Sequence, residues 1–130
     1  MKTLVVYDSR NGKTEFIARK IPGIVKHIND DFSFDDFDLI VFVCPTYGDE
    51  ELPPEMEKFI ICLDGVKKFT VCETGNYYGF DDFSFGARKI IEDWLKDSGW
   101  EMLSGFSLDA YEPINWRPFE KWVESLHERS

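Results

Sequence analysis

Apolar positions fall into two rhythms that alternate along the chain. Thr3 to Tyr7, Leu39 to Cys44 and Phe69 to Glu73 are short, almost unbroken apolar runs, the form of strands buried on both faces. Between them the spacing turns helical. Phe16, Ile17 and Ile21 precede Pro22-Gly23, and Met56, Phe59, Ile60 and Leu63 follow Pro53-Pro54 in a helix running to Leu63. Ile90, Ile91, Trp94 and Leu95 give one face to a helix over Gly86 to Ser98, with Gly99 as its stop. Phe119, Trp122, Val123 and Leu126 do the same within Pro118 to Glu128. Gly23 to Ile28 predicts a short second strand, and Trp100 to Leu108 a last one interrupted near Gly105. Asn29 to Asp38 is an acidic connection whose Phe32, Phe34 and Phe37 should tuck inward. Five strands alternating with helices predict a single α/β domain over residues 1–130, a doubly wound parallel sheet with helices on both faces.

Composition narrows the class of partner. The 130 residues carry a net charge of −10, which argues against nucleic acid or an anionic membrane as partner. An acidic surface favours encounters with basic protein faces. No apolar run has the length to cross a bilayer, and the N-terminus lacks a basic segment followed by an apolar one. Cys44, Cys62 and Cys72 are odd in number and lie in apolar surroundings without close metal-ligand spacing, so reduced core thiols in a cytoplasmic protein are expected.

Candidate chemistry gathers in three loops that follow strands, where open α/β sheets bind ligands. The first is Ser9-Arg10-Asn11-Gly12-Lys13-Thr14, which offers hydroxyls, an amide, a glycine and backbone N–H groups to an anion. It lacks the glycine spacing of a Walker loop. The second is Pro45-Thr46-Tyr47-Gly48-Asp49-Glu50-Glu51-Leu52-Pro53, an aromatic beside a glycine in a loop that turns acidic. That pairing suits a flat cofactor, since the ring stacks and the glycine lets backbone approach. The third is Glu73-Thr74-Gly75-Asn76-Tyr77-Tyr78-Gly79-Phe80, leading to Phe85-Gly86-Ala87 and a helix.

These loops resemble, in order, the three flavin-contacting loops of flavodoxins. Ser9, Gly12 and Thr14 match the phosphate loop, while Asn11 and Lys13 depart from it. The segment from Thr46 to Pro53 has the flavodoxin form, and Asn76 stands where flavodoxins carry aspartate. The resemblance implies a flavodoxin-like fold and one FMN held noncovalently, the phosphate by residues 9–14. It further implies Thr46 near the ribityl chain or ring edge, Tyr47 as the inner stacking ring, and Gly48 as the residue whose carbonyl turns to the flavin N5–H after one-electron reduction. The Asn76 backbone N–H, with Thr74 and Gly75 beside it, would face the pyrimidine edge. Tyr78 is the choice for the outer stacking ring, with Tyr77 and Phe80 as rivals.

The implied work is low-potential single-electron transfer between a flavin reductase and an acceptor enzyme, by a monomer with no catalytic side chain and no metal. The alternative is the flavodoxin-like activator of manganese ribonucleotide reductase, whose Gly-Asn pair Gly75-Asn76 matches. A flavodoxin-fold module that has lost FMN is a third reading. The remaining polar residues have ordinary explanations: His27 and His127 as surface residues, Asp35-Asp36 and Asp81-Asp82 as solvated charge.

Overall fold

The computed structural model describes residues 2–8, 12–46, 51–65, 67–80 and 82–128. Strand β1 (Thr3–Tyr7) leads to helix α1 (Lys13–Ala18), then β2 (Ile24–His27) and β3 (Leu39–Pro45). Helix α2 (Pro54–Ile61), strand β4 (Lys68–Gly75) and helix α3 (Ala87–Asp97) follow, then β5 (Glu101–Met102), β6 (Phe106–Asp109) and helix α4 (Arg117–Glu128). The five strand pairings among the described residues are parallel, in the order β2-β1-β3-β4-β5, and β6 also pairs with β4. The fifth position of the sheet is thus one strand in two pieces, with the break where Gly105 was expected to interrupt it.

That break has a physical cause. A Cβ on Gly105 would lie 2.5 Å from the Val71 carbonyl oxygen, so the chain passes too close to β4 for any side chain there. The neighbouring Ser104 carbonyl leaves the ladder and accepts hydrogen bonds from Thr70 Oγ1 at 3.0 Å and Trp122 Nε1 at 2.7 Å. Side-chain donors thereby replace the lost strand partner.

Alternation along the buried strands divides the core into two layers. Leu4, Val6, Ile40, Phe42, Phe69 and Val71 face α2 and α3, meeting Met56, Ile60, Ile91 and Leu95. Val5, Tyr7, Leu39, Val41, Val43 and Cys72 face α1 and α4, meeting Ile17, Phe119, Trp122 and Leu126. Phe32, Phe34 and Phe37 close the first layer as expected, with the Phe34 ring edge-on to Trp100 at 6.1 Å. Helix α3 stops at Gly99 (φ 91), where the Trp100 N–H reaches back to the Leu95 carbonyl at 2.9 Å.

Four sequence expectations are corrected. Cys62, expected in the core, is exposed just after α2. Trp94 is 48% exposed and Ile90 is also exposed, because α3 buries the Ala87-Ile91-Leu95 stripe and these two residues flank it. Phe16 is exposed on α1 and forms a ring pair with Trp116, with the Lys20 ammonium 4.8 Å from its centroid. Cys44 and Cys72 are buried thiols as expected, and no described helix is long and apolar enough to cross a membrane.

Candidate functional site

The carboxyl ends of β1, β3 and β4 meet at one edge of the sheet, and the strand alternation sends two sets of polar side chains to opposite sides of it. Thr74 continues the α1-facing row of β4. Its hydroxyl lies 3.1 Å from that of Thr14, at the start of α1, and 2.7 Å from that of Tyr77. Thr14 and Tyr77 are themselves 3.0 Å apart, so the three hydroxyls form a closed triangle. Burial pushes the Tyr77 phenol above its ordinary value of 10.0, and the two threonine hydroxyls partly offset that. Gly12, at φ 81, turns the chain into α1, and Lys13 Nζ lies 3.3 Å from Glu112.

Glu73 points the other way, toward α3. It is only 2% exposed, yet its carboxylate has donors at both oxygens. Oε2 accepts from Thr46 Oγ1 at 2.9 Å and from the Arg88 N–H at 2.8 Å, while Oε1 accepts from Ser107 Oγ at 2.6 Å. Thr46 Oγ1 accepts in turn from the Ala87 N–H at 3.3 Å. The Thr46 backbone N–H bonds the Thr74 carbonyl at 2.9 Å, which ties the exit of β3 to the exit of β4. Burial first, and the Glu73 charge second, raise the Cys44 and Cys72 thiols well above the ordinary 9.0, so both remain protonated and unreactive at neutral pH.

Beyond Thr74, Gly75 is held under aromatic rings, since a Cβ there would lie 2.5 Å from Phe83 Cζ. Asn76 takes a left-handed conformation (φ 58). Its Nδ2 faces the Asp109 carboxylate at 3.3 and 3.4 Å, which fixes the amide orientation because a carboxylate only accepts. Asn76 Oδ1 therefore faces away from Asp109, is sealed from solvent, and has no hydrogen-bond partner among the described residues. Tyr78 (81% exposed) and Phe80 form the outer rim, 6.3 Å apart between centroids, with the Tyr111 ring against Gly79 beside them.

Of the residues singled out in the sequence, Thr14, Pro45, Thr46, Thr74, Gly75 and Asn76 converge at this edge, and Gly12 and Lys13 adjoin it. Tyr78 and Phe80 stand at its rim. Ser9, Arg10, Asn11, Tyr47 and Gly48 lie outside the described residues. Two participants were not picked out from sequence, Glu73 and Ser107, and Tyr77 joins the hydroxyl cluster rather than the outer rim. A glutamate ending the apolar run from Phe69 was the available signal for Glu73.

No family model matches the chain, and no curated protein matches it in sequence. Solved structures match it end to end. Oxidised flavodoxin 2 from Bacillus cereus superposes with a TM-score of 0.82 at 24% identity, covering 100% of each chain. The flavodoxin of Streptococcus pneumonia TIGR4 gives a TM-score of 0.76 at 24% identity, again over 100% of each chain. That of Fusobacterium nucleatum, bound to flavin mononucleotide, gives 0.66 at 16% identity over 99% of each. The parallel order β2-β1-β3-β4-β5 and this full-length likeness establish that the chain has the flavodoxin fold.

Proposed function

We propose that this protein binds one FMN noncovalently at the β1–β3–β4 edge and carries single electrons between a reductase and an acceptor enzyme. The observation that carries the reading is the Asn76 side chain, whose sealed Oδ1 has no donor among the described residues. A flavin pyrimidine ring offers an N3–H donor, so the group fits the acceptor left over here. The hydroxyls of Thr14, Thr74 and Tyr77 spend their protons on one another and each keep a lone pair, which suits acceptance from the hydroxyls of a polyol. The described residues include no cluster of histidine, cysteine and carboxylate able to hold a metal, and no side chain that stands as an activated nucleophile.

When bound, FMN supplies the redox chemistry, and the chain's part is to hold it, exclude water and set the surrounding charge. The net charge of −10 supports a partner with a basic face. Titration of the purified protein with FMN and with FAD tests the reading. Tight binding of FMN with a visible flavin spectrum is expected, and FAD should bind more weakly. A protein that takes up neither flavin overturns the proposal.

A further inference from the structure

Glu73 is a buried carboxylate at this edge, and both of its oxygens are met by neutral donors. Burying a carboxylate is costly unless each lone pair it turns inward is met. Here Thr46, Ser107 and the Arg88 N–H meet it, and the last belongs to the first turn of an eleven-residue helix whose dipole favours a negative charge. Because the single Thr46 hydroxyl proton goes to Glu73, that side chain has none to give a ligand, and Thr46 can serve a ligand only through its backbone or as an acceptor. Thr46 directly precedes Tyr47, and Glu73 directly precedes Thr74, Gly75 and Asn76. One carboxylate therefore braces two of the three site loops from below and joins both to the start of α3.

We propose that Glu73 is a positioning residue of the flavin site, which locks Thr46 and the α3 N-terminus in place and adds a fixed negative charge that opposes the second electron on bound flavin. The proposal rests on the FMN reading above. Glutamine separates its two parts. With Oε1 in place of the glutamate Oε2, Glu73→Gln still accepts from Thr46 and Arg88, while its Nε2 donates to a Ser107 hydroxyl rotated to accept. It removes the charge and keeps the two contacts that brace Thr46 and α3, while the Ser107 proton gives up its acceptor. Glu73→Ala loses both charge and contacts, and leaves the Arg88 N–H without a partner.

The test measures FMN affinity, both one-electron potentials, and amide exchange at Ala87 and Arg88 in FMN-free protein. Glu73→Gln should keep parental exchange at Ala87 and Arg88 while shifting the second one-electron equilibrium toward reduction by roughly tenfold, about 59 mV. Glu73→Ala should speed Arg88 exchange and weaken FMN binding, each by roughly tenfold. If Glu73→Ala does not fold, Thr46→Val replaces it, with faster Ala87 exchange expected. Parental potentials in Glu73→Gln overturn the electrostatic part. Parental exchange in the alanine or valine variant overturns the positioning part, and does so whether or not the parent binds FMN.

Discussion

The Tyr77 hydroxyl lies 2.7 Å from the hydroxyl of Thr74, three residues earlier, and 3.0 Å from that of Thr14, sixty-three positions away in sequence. With Thr14 and Thr74 themselves 3.1 Å apart, three protons serve three contacts and none is left over. Removing one member leaves a buried pair intact and deletes two bonds. Tyr77→Phe is expected to lower the stability of FMN-free protein by about 1 kcal/mol, the net worth of a neutral hydrogen bond with partial compensation. Urea unfolding measures it. A variant as stable as the parent would mean that the triangle contributes nothing to holding α1 against β4.

The buried thiols predict an alkaline weakness. Cys44 and Cys72 have their values raised by burial, so in the folded protein they hold protons that the unfolded chain releases near the ordinary 9.0. Their contribution is fully present below that value and is lost as pH rises above it. Each thiol should add a slope of up to about 1.4 kcal/mol per pH unit. Tyr77, raised in the same direction, joins above its ordinary 10.0. Unfolding midpoints followed between about pH 8 and about pH 10 should fall, and fall less steeply in a Cys44→Ala/Cys72→Ala protein.

Helix α3 tests which apolar stripe matters. Leu95 is buried, while Trp94 is half exposed. Leu95→Ala should cost roughly 2–5 kcal/mol by opening a cavity in the layer shared with Ile91 and Trp100. Trp94→Ala should cost clearly less. Equal losses would contradict the observed facing of the helix.

That helix also marks where sequence reading runs out. Four apolar residues, Ile90, Ile91, Trp94 and Leu95, locate the helix and its Gly99 stop but offer two overlapping stripes, and the small Ala87 decides between them by packing tight against the sheet. The strands were plainer, because a run buried on both faces such as Leu39 to Cys44 has no competing reading. In the site, residues adjacent in the motifs (Thr46, Thr74, Gly75, Asn76) could be read from the chain. The Glu73–Ser107 contact could not, since it joins strands 34 positions apart through a parallel register that no local pattern records. Tyr77 and Tyr78, neighbours with identical chemistry, divide only once the turn at Asn76 sends one inward and the other to the rim.

The stacking rings give an affinity prediction. Tyr78 is 81% exposed and free of the hydroxyl cluster, as an outer ring requires. Tyr47→Ala should weaken FMN binding by roughly 1–3 kcal/mol and Tyr78→Ala by less, because the outer ring keeps one face in water. Fluorescence titration of both variants gives the order. A larger loss at Tyr78 would reverse the assignment of inner and outer rings.

Asn76 offers the sharpest separation of side chain from backbone. Its φ of 58 favours asparagine or glycine, so Asn76→Gly keeps the turn while removing the amide. Asn76→Ala removes the amide and also loses the tolerance of the left-handed turn that asparagine has and alanine lacks. If Oδ1 accepts from the flavin N3–H, both variants should lose FMN affinity by about 1 kcal/mol, and alanine should lose more stability than glycine, since both give up the contact to Asp109. If the pyrimidine edge is read by the backbone N–H alone, Asn76→Gly should bind FMN as the parent does. Calorimetric titration paired with thermal unfolding distinguishes the two. A glycine variant with parental affinity removes the side chain from recognition and leaves its unpartnered oxygen as a structural feature of the turn.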